Sequence, residues 1–187
     1  MLRKKQFLKK FSIFELVIMA MMASIGIGIK PVIVPLAHII TGPLYIPGGV
    51  LAGGFYMLWL VLGAGIVNKR GVATIIALVQ AIMVISMGTF GNHGIISLLT
   101  YLVPGISIDI LLFAMGHRGP CLSFCFFAGI VANISGSLLV NMIFFKLPTI
   151  PLILTLSVAA LSGGLGGIIA FNILEQIRNV NIINNEM

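Results

Sequence analysis

Acidic residues are scarce in this chain. Only four of its 187 residues are Asp or Glu, against eleven Lys or Arg, and charged residues make up 8% of the sequence. Soluble globular domains carry about 25% charged residues. Because 59% of the residues are hydrophobic, the chain has too little polar surface to cover a water-soluble globule. The composition therefore predicts an integral membrane protein, since a bilayer is the solvent that suits it.

The groups that catalysis requires are also missing. The sequence contains no paired carboxylates, no HExxH metal motif, no phosphate-binding glycine loop that leads into GK[ST], and no nucleophile elbow. An intramembrane enzyme or a nucleotide-driven pump would need such groups. We therefore predict that the chain is not an enzyme, and that another subunit supplies the energy for any uphill transport in which it takes part.

Cysteine is nearly absent. Cys121 and Cys125 are the only two cysteines, and their spacing on one predicted helix is typical of helix packing. No further Cys or His stands at ligand spacing. We therefore expect neither a metal site nor another cofactor.

Long apolar segments dominate the residues that are present. A transmembrane helix needs about 20 mainly apolar residues, and six segments qualify, with charged, polar or proline-rich breaks between them. The predicted spans are 11–29, 48–67, 71–89, 95–115, 119–143 and 150–174. The sequence therefore predicts an all-α membrane protein with six transmembrane helices. They form one substrate-binding domain, 11–175, between a basic cytoplasmic segment, 1–10, and a cytoplasmic tail, 176–187.

Residues 30–47 are apolar but contain four prolines, and the basic residues argue against a seventh span there. With six spans, nine basic residues face the cytoplasm and only Lys30 and Lys146 face outward, as the positive-inside rule requires. The basic N-terminus adjoins an apolar helix, which indicates a topology signal and no nucleic-acid partner. We therefore predict a prokaryotic multi-pass protein of the cell membrane with both termini in the cytoplasm. Residues 30–47 become an irregular outer loop, a broken or re-entrant helix that forms the lid or wall of a pocket.

Polar side chains within the spans indicate where a small molecule could bind. A polar group costs free energy in lipid, so it tends to face the protein interior or a cavity. In the predicted topology these groups gather in the outer half and near the middle: His38, Tyr56, Trp59, Gln80, Asn92, His93, Tyr101, Asn133 and Asn141. Because aromatic rings stack on a planar ligand and amides bond its edge, this set predicts a substrate site for a small heteroaromatic molecule.

Each of these side chains also has a structural interpretation. Asn133 and Asn141 belong to a stripe that repeats every four residues and could bond neighbouring helices. Tyr101 could belong to the aromatic belt at the membrane surface, Trp59 could pack in the core, and the histidines could simply end loops. The sequence leaves both interpretations open.

Two acids lie in the inner half of the predicted bundle. At 1.5 Å per residue, Asp109 lies about 20 Å below the start of the fourth span. We expect Asp109 to pair with a basic group near the cytoplasm, or to cap a broken helix near Pro104. Glu15 has a similar depth and the same structural interpretation.

Small residues recur at a spacing of four on several spans, as in Ala20 and Ser24 or Gly163 and Gly167. This spacing lets helix backbones approach closely in lipid. Contacts within the bundle are the structural interpretation. The first span is the best candidate for docking onto another membrane protein, because a terminal helix can lie at the edge of a bundle.

The second to fourth spans carry a distinctive sequence, GGFYMLWLVLGAGIVNKRGVATIIALVQAIMVISMGTFGNHGIISLLTYLVPGISIDILLF. It has an aromatic-rich second span, the turn Lys69-Arg70-Gly71, a third span that closes on Gly88, and a fourth span that ends in an acid, Asp109. In these features it resembles the substrate-binding S components of energy-coupling-factor (ECF) transporters, above all the YkoE-like branch linked to thiamine or its hydroxymethylpyrimidine precursor. The resemblance covers most of residues 12–115.

The resemblance implies a six-helix protein that captures a vitamin from outside the cell. It also implies partners, a transmembrane coupling subunit and two cytoplasmic ATPases. Small residues of the first helix, here Ala20 and Ser24, would dock on the coupling subunit, and residues 30–47 would act as a gate. The thiamine branch carries glutamates on its third helix, whereas this chain has Gln80 as the only amide there.

Together these expectations describe the S component of an ECF importer, with thiamine or hydroxymethylpyrimidine as the first candidate substrate. The alternative is a stand-alone secondary carrier or channel for a small molecule. Transport by this chain alone, without ATP, would distinguish that alternative.

Overall fold

The computed structural model describes residues 10–44, 46–88, 94–116 and 121–180. Within these ranges every regular element is a helix, which confirms the predicted all-α class. The seven α-helices are α1 (Ile13–Gly28), α2 (Lys30–Thr41), α3 (Gly48–Val67), α4 (Val72–Met87), α5 (Ser97–Ala114), α6 (Leu122–Val140) and α7 (Thr149–Asn179). A single π-helical turn, Asn141–Phe145, follows α6.

The helices occupy the positions of the six predicted spans. Five helical stretches in the described ranges are long and apolar enough to cross a bilayer, and the first of them runs from α1 through α2. The remaining span corresponds to α4, which is apolar but has only 16 residues. At 1.5 Å per residue α4 is about 24 Å long, somewhat shorter than the hydrocarbon core of about 30 Å. α7 continues to Asn179, five residues past the predicted end of its span.

Residues 30–47 differ from the prediction of irregular backbone, which is wrong for residues 30–41. These residues form α2, which follows α1 after one turn residue, Ile29, whose backbone stays in the right-handed helical region (φ −78°, ψ −23°). Pro31 lies in the first turn of α2, where its missing N–H and fixed φ are tolerated. Pro35 lies inside α2 at the cost of one backbone hydrogen bond. Pro35 therefore removes one backbone hydrogen bond of α2, and neither proline ends the helix.

Glycines set the closest helix contacts. A Cβ atom on Gly129 of α6 would overlap the backbone carbonyl of Gly163 on α7, and one on Gly167 would overlap the carbonyl of Cys125. α3 approaches α7 equally closely at Gly54. The small-residue spacing of Gly163 and Gly167 therefore serves contact within the bundle, as the structural interpretation predicted.

The outer surface of the bundle is strongly apolar. Five large aliphatic side chains are 71% to 83% exposed: Ile13, Ile39, Ile95, Ile150 and Leu161. Such a surface is unfavourable in water but matches lipid chains. The chain is therefore a multi-pass membrane protein.

Candidate functional site

A cavity of about 300 Å³ lies at one end of the bundle. Its walls come from α2, the first half of α3, the second half of α4, the start of α5, the second half of α6 with its π-helical turn, and the start of α7. The walls are mostly apolar with a few polar groups, as in known small-molecule sites, and the volume is at the lower end of their range of about 300–1,000 Å³. The cavity therefore has the size for one compact ligand.

Six of the nine predicted site residues line this cavity: His38, Tyr56, Gln80, Tyr101, Asn133 and Asn141. Trp59 does not line it. Three positions along a helix leave Trp59 about 60° around α3 from Tyr56, on the side where its Cβ approaches Gly26 of α1. Asn92 and His93 lie outside the described residues.

Lys30 is a cavity residue that the sequence analysis interpreted only as a topology signal. Its side chain is 8% exposed, and its Nζ donates a hydrogen bond of 2.7 Å to the Tyr101 hydroxyl. The same Nζ lies 4.1 Å from the ring centroid of Tyr56 and 4.0 Å from that of Tyr101. Two aromatic faces thus hold the cation. One feature of the sequence could have revealed this role. Lys30 is a single lysine inside a continuous apolar stretch, and an ionisable residue at membrane depth indicates a functional site.

Asn133 joins three helices while it lines the cavity. Its Nδ2 donates to the carbonyl oxygens of Val50 on α3, at 3.0 Å, and of Ala159 on α7, at 2.9 Å. Gly53 leaves the space for this amide, because a Cβ atom there would overlap it. The interhelical role that the structural interpretation proposed for Asn133 is therefore present.

Three other lining residues fix the local backbone. His38 Nδ1 accepts a hydrogen bond of 3.3 Å from the Gly48 N–H and so ties α2 to the start of α3. The Tyr56 hydroxyl donates to the Gly49 carbonyl at 2.6 Å. Asn141 Oδ1 accepts from the Leu147 N–H at 3.0 Å, just after the π-helical turn. The wall of the cavity is therefore largely preformed.

Two polar atoms of the wall have no hydrogen-bond partner in the described part of the chain. They are Gln80 Nε2 and Thr155 Oγ1, both buried. Buried polar groups in folded proteins nearly always have a partner, so each exception needs an explanation. Gln80 Nε2 lies beside Gly26 of α1, so of these two atoms a ligand in the cavity would supply a partner to Thr155 Oγ1.

The acids lie at the opposite end of the bundle. Glu15 forms an ion pair with Lys69, with 2.6 Å between Oε1 and Nζ. Glu15 also completes a capping box with Ser12 at the start of α1. The structural role expected for Glu15 is confirmed.

Asp109 has a structural contact that differs from both expected ones. α5 runs through Pro104 without a break, and Asp109 reaches across to the start of α4. Its carboxylate accepts hydrogen bonds from the Gly71 N–H at 3.1 Å, the Thr74 N–H at 2.9 Å and the Thr74 hydroxyl at 2.6 Å. Asp109 therefore caps a neighbouring helix, because free N–H groups at a helix start attract a carboxylate.

Ala20 and Ser24 are exposed on the outer surface of α1. The Ser24 hydroxyl donates to the Ala20 carbonyl at 2.9 Å, within the helix. The same hydroxyl lies 4.0 Å from Met83 Sδ of α4, so Ser24 borders the contact between α1 and α4. The surface that the sequence analysis assigned to docking is thus accessible from the lipid side.

Comparison with known proteins bears on these assignments. A family model described as the permease component of an ABC-type cobalt transport system matches residues 14–135. The structure is similar to a crystal structure of an S component of an ECF transporter, with a TM-score of 0.78, 16% sequence identity, and coverage of 94% of this chain and 89% of that chain. No curated protein matches by sequence. The expected S-component fold is confirmed.

Proposed function

The chain belongs to the family of permease components of ABC-type cobalt transport systems, and on that premise we propose that it is the substrate-binding S component of an ECF importer. It captures a small vitamin or vitamin precursor at the outer surface of the membrane. The observation that carries this proposal is the cavity, which six of the predicted aromatic, imidazole and amide side chains line. A small-molecule site needs such a preformed pocket with a few polar groups on apolar walls, whereas a purely structural bundle has no need of one.

The positions of the basic residues support an outward-facing cavity. Lys69 and Arg70 lie between α3 and α4, and Arg178 lies in the last turn of α7, all at the end away from the cavity. Lys30 and Lys146 lie at the cavity end. Because positive residues stay in the cytoplasm during insertion, the cavity end faces outward.

The lining of the cavity favours an organic substrate over a bare cobalt ion. Cobalt and related metals take imidazole, thiolate and carboxylate ligands, and His38 is the one such side chain among the described lining residues. The rings of Tyr56 and Tyr101 and the amides suit a heteroaromatic ring. Thiamine and hydroxymethylpyrimidine remain the first candidates. Because no described lining residue is a carboxylate, the pyrimidine fits better than the thiazolium cation of thiamine.

Binding by the purified protein in lipid nanodiscs tests this function. Isothermal titration with thiamine, hydroxymethylpyrimidine, riboflavin, biotin and folate should identify one tight ligand. Val140→Trp, which fills the cavity from α6, should abolish binding. Leu138→Trp, on the outer surface of the same helix, is the matched control and should bind as the wild type does. No binder in the panel would contradict the proposal.

The proposed partners are a transmembrane coupling subunit and two cytoplasmic ATPases, with docking through Ala20 and Ser24. Ala20→Trp should abolish vitamin uptake by the reconstituted complex and leave binding to the isolated protein unchanged. Leu165→Trp, on the exposed surface of α7, is the matched control. Uptake by this chain alone in ATP-free liposomes would instead establish a stand-alone secondary carrier.

A further inference from the structure

We propose that the substrate carries an oxyanion, a carboxylate or a phosphate group, and that this group binds to Lys30. The inference rests on the proposed function, because it concerns the ligand of the same cavity. It adds the charge of the substrate, which neither the fold nor the family description specifies. Among the pyrimidines it favours hydroxymethylpyrimidine phosphate over hydroxymethylpyrimidine and thiamine, neither of which carries an oxyanion.

The contacts of Lys30 leave part of its binding capacity unused. An ammonium group has three N–H donors and a full positive charge. Among the described residues, one oxygen contact is present, to the Tyr101 hydroxyl at 2.7 Å, together with the faces of Tyr56 and Tyr101. Lys30 forms no ion pair in the described ranges. Its charge is therefore balanced only by two aromatic rings.

No acid within the described ranges lies close to this cation. Of the chain's four acids, Glu15 pairs with Lys69 and Asp109 caps α4, both at the other end of the bundle. Glu175 lies in the last turns of α7, and Glu186 follows that helix. The C-terminus of α7 is also at the far end. No acid of the described residues therefore serves as a counterion for Lys30, and a bound ligand can supply one.

A bound oxyanion accounts for these observations together. Burial of a charge is costly unless a partner and hydrogen bonds compensate it. The cavity adjoins Lys30, so an oxyanion bound there can accept hydrogen bonds from the ammonium group. A cationic ligand would instead place like charges together in a site of low dielectric. The cavity thus selects for negative charge.

Pairs of ligands that differ in charge test the inference on the unaltered protein. Suitable pairs are nicotinamide with nicotinate, pyridoxal with pyridoxal phosphate, and hydroxymethylpyrimidine with its phosphate, with thiamine as a cation. Affinities are measured by isothermal titration in nanodiscs of neutral lipid. In the ligand pair that binds, we expect the anionic member to bind about 10- to 100-fold more tightly than the neutral member. This is the range that one hydrogen bond to a charged group provides.

Substitutions then assign the preference to Lys30. Lys30→Met keeps the length of the side chain and removes the charge, so it should bring the ratio of the anionic to the neutral affinity close to one. Lys30→Arg should keep the preference, because it keeps the charge. Lys146→Gln, which removes an exposed cation of the same end, is the control and should behave as the wild type.

The outcomes separate the inference from the proposed function. Equal affinity for neutral and anionic members, or a preference that survives in Lys30→Met, would overturn the inference and leave a vitamin-binding protein in place. A higher affinity for thiamine than for every anionic ligand would also overturn the inference and leave the proposed function in place. Failure of every member of every pair to bind would contradict the proposed function itself, and the inference with it.

Discussion

Two lysines at opposite ends of the bundle are held in different ways. Lys69 lies near Lys10 and pairs with Glu15, so that oxygen atoms of the chain surround its charge. Lys30 is more deeply buried, yet it meets one hydroxyl and two aromatic faces. At the end that contains Lys69, the charged groups have partners within the chain, as Asp109 also shows by capping α4, and Asn68 Oδ1 is the buried polar atom there without a partner in the described ranges. The end that contains Lys30 leaves polar groups available.

This difference indicates a division of roles along the bundle. Buried polar groups that are fully paired hold elements together, whereas unpaired ones cost stability. Proteins tolerate such a cost where a site must stay ready for a ligand. We call the end that contains Lys69 the closed end and the end that contains Lys30 the cavity end. Substitutions at the closed end should therefore lower the stability of the protein, and substitutions at the cavity end should lower its affinity for the ligand.

The largest loss of stability should follow from a change at the contact between α6 and α7. Gly129→Ala would push a Cβ atom into the carbonyl of Gly163, so we expect a loss of about 2–3 kcal/mol in unfolding free energy. Thermal unfolding in detergent measures it. Gly28→Ala is the control, since a Cβ atom there meets nothing within 4 Å, and it should be neutral or slightly stabilising. Equal effects of the two changes would contradict the close contact of α6 and α7.

Removal of the cap at the closed end comes next. Asp109→Ala removes three hydrogen bonds at the start of α4, so it should cost about 2 kcal/mol. Ligand affinity should stay within about twofold of the wild type, because the contacts lie away from the cavity. Asp109→Asn, which keeps one acceptor oxygen, should be milder. A loss of affinity as large as that of Lys30→Met would contradict the division between the two ends.

The ion pair should respond asymmetrically. The Glu15 side chain is 5% exposed and that of Lys69 is 45% exposed. Lys69→Gln leaves a buried carboxylate without its partner, whereas Glu15→Gln leaves a lysine that water can solvate. We expect Lys69→Gln to cost about 1 kcal/mol more, as chemical denaturation would measure. If Glu15→Gln lowered the unfolding free energy more than Lys69→Gln, the buried position of Glu15 and the exposed position of Lys69 would be contradicted.

The smallest change in stability should occur at the cavity end. Thr155→Val removes a buried hydroxyl that has no partner in the described ranges, so the ligand-free protein should keep its stability or gain about 0.5–1 kcal/mol. Affinity for the ligand should fall about 10-fold. A clear loss of stability without a loss of affinity would make Thr155 a structural residue and weaken the contrast between the ends.

The sequence predicted the helices better than the site, because length and hydropathy are local properties. The positions of α3 to α7 followed from apolar segments and their breaks. The setting of Lys30 depends on Tyr101, 71 positions away, and that of Asp109 on Gly71, 38 positions away. No local pattern reports such contacts. The angular offset that turns Trp59 from the cavity likewise depends on how α3 is rotated against α1.

Residues 30–47 show how a local rule can mislead. Four prolines predicted irregular backbone, but the effect of a proline depends on its position in a helix. Pro31 starts α2 and Pro35 is tolerated inside it. The expected wall of a pocket is nevertheless there, since Lys30, Val34 and His38 of α2 line the cavity.

The most direct test of the account is the orientation of α7, whose two ends lie at the two ends of the bundle. Thr149 and Gln176 are both exposed and lie about 40 Å apart along the helix. Each is replaced by Cys in a background of Cys121→Ser and Cys125→Ala, and intact cells are treated with a membrane-impermeant maleimide. We expect Thr149→Cys to react in intact cells and Gln176→Cys to react only after permeabilisation. The opposite pattern would place the cavity at the cytoplasm and contradict capture from outside.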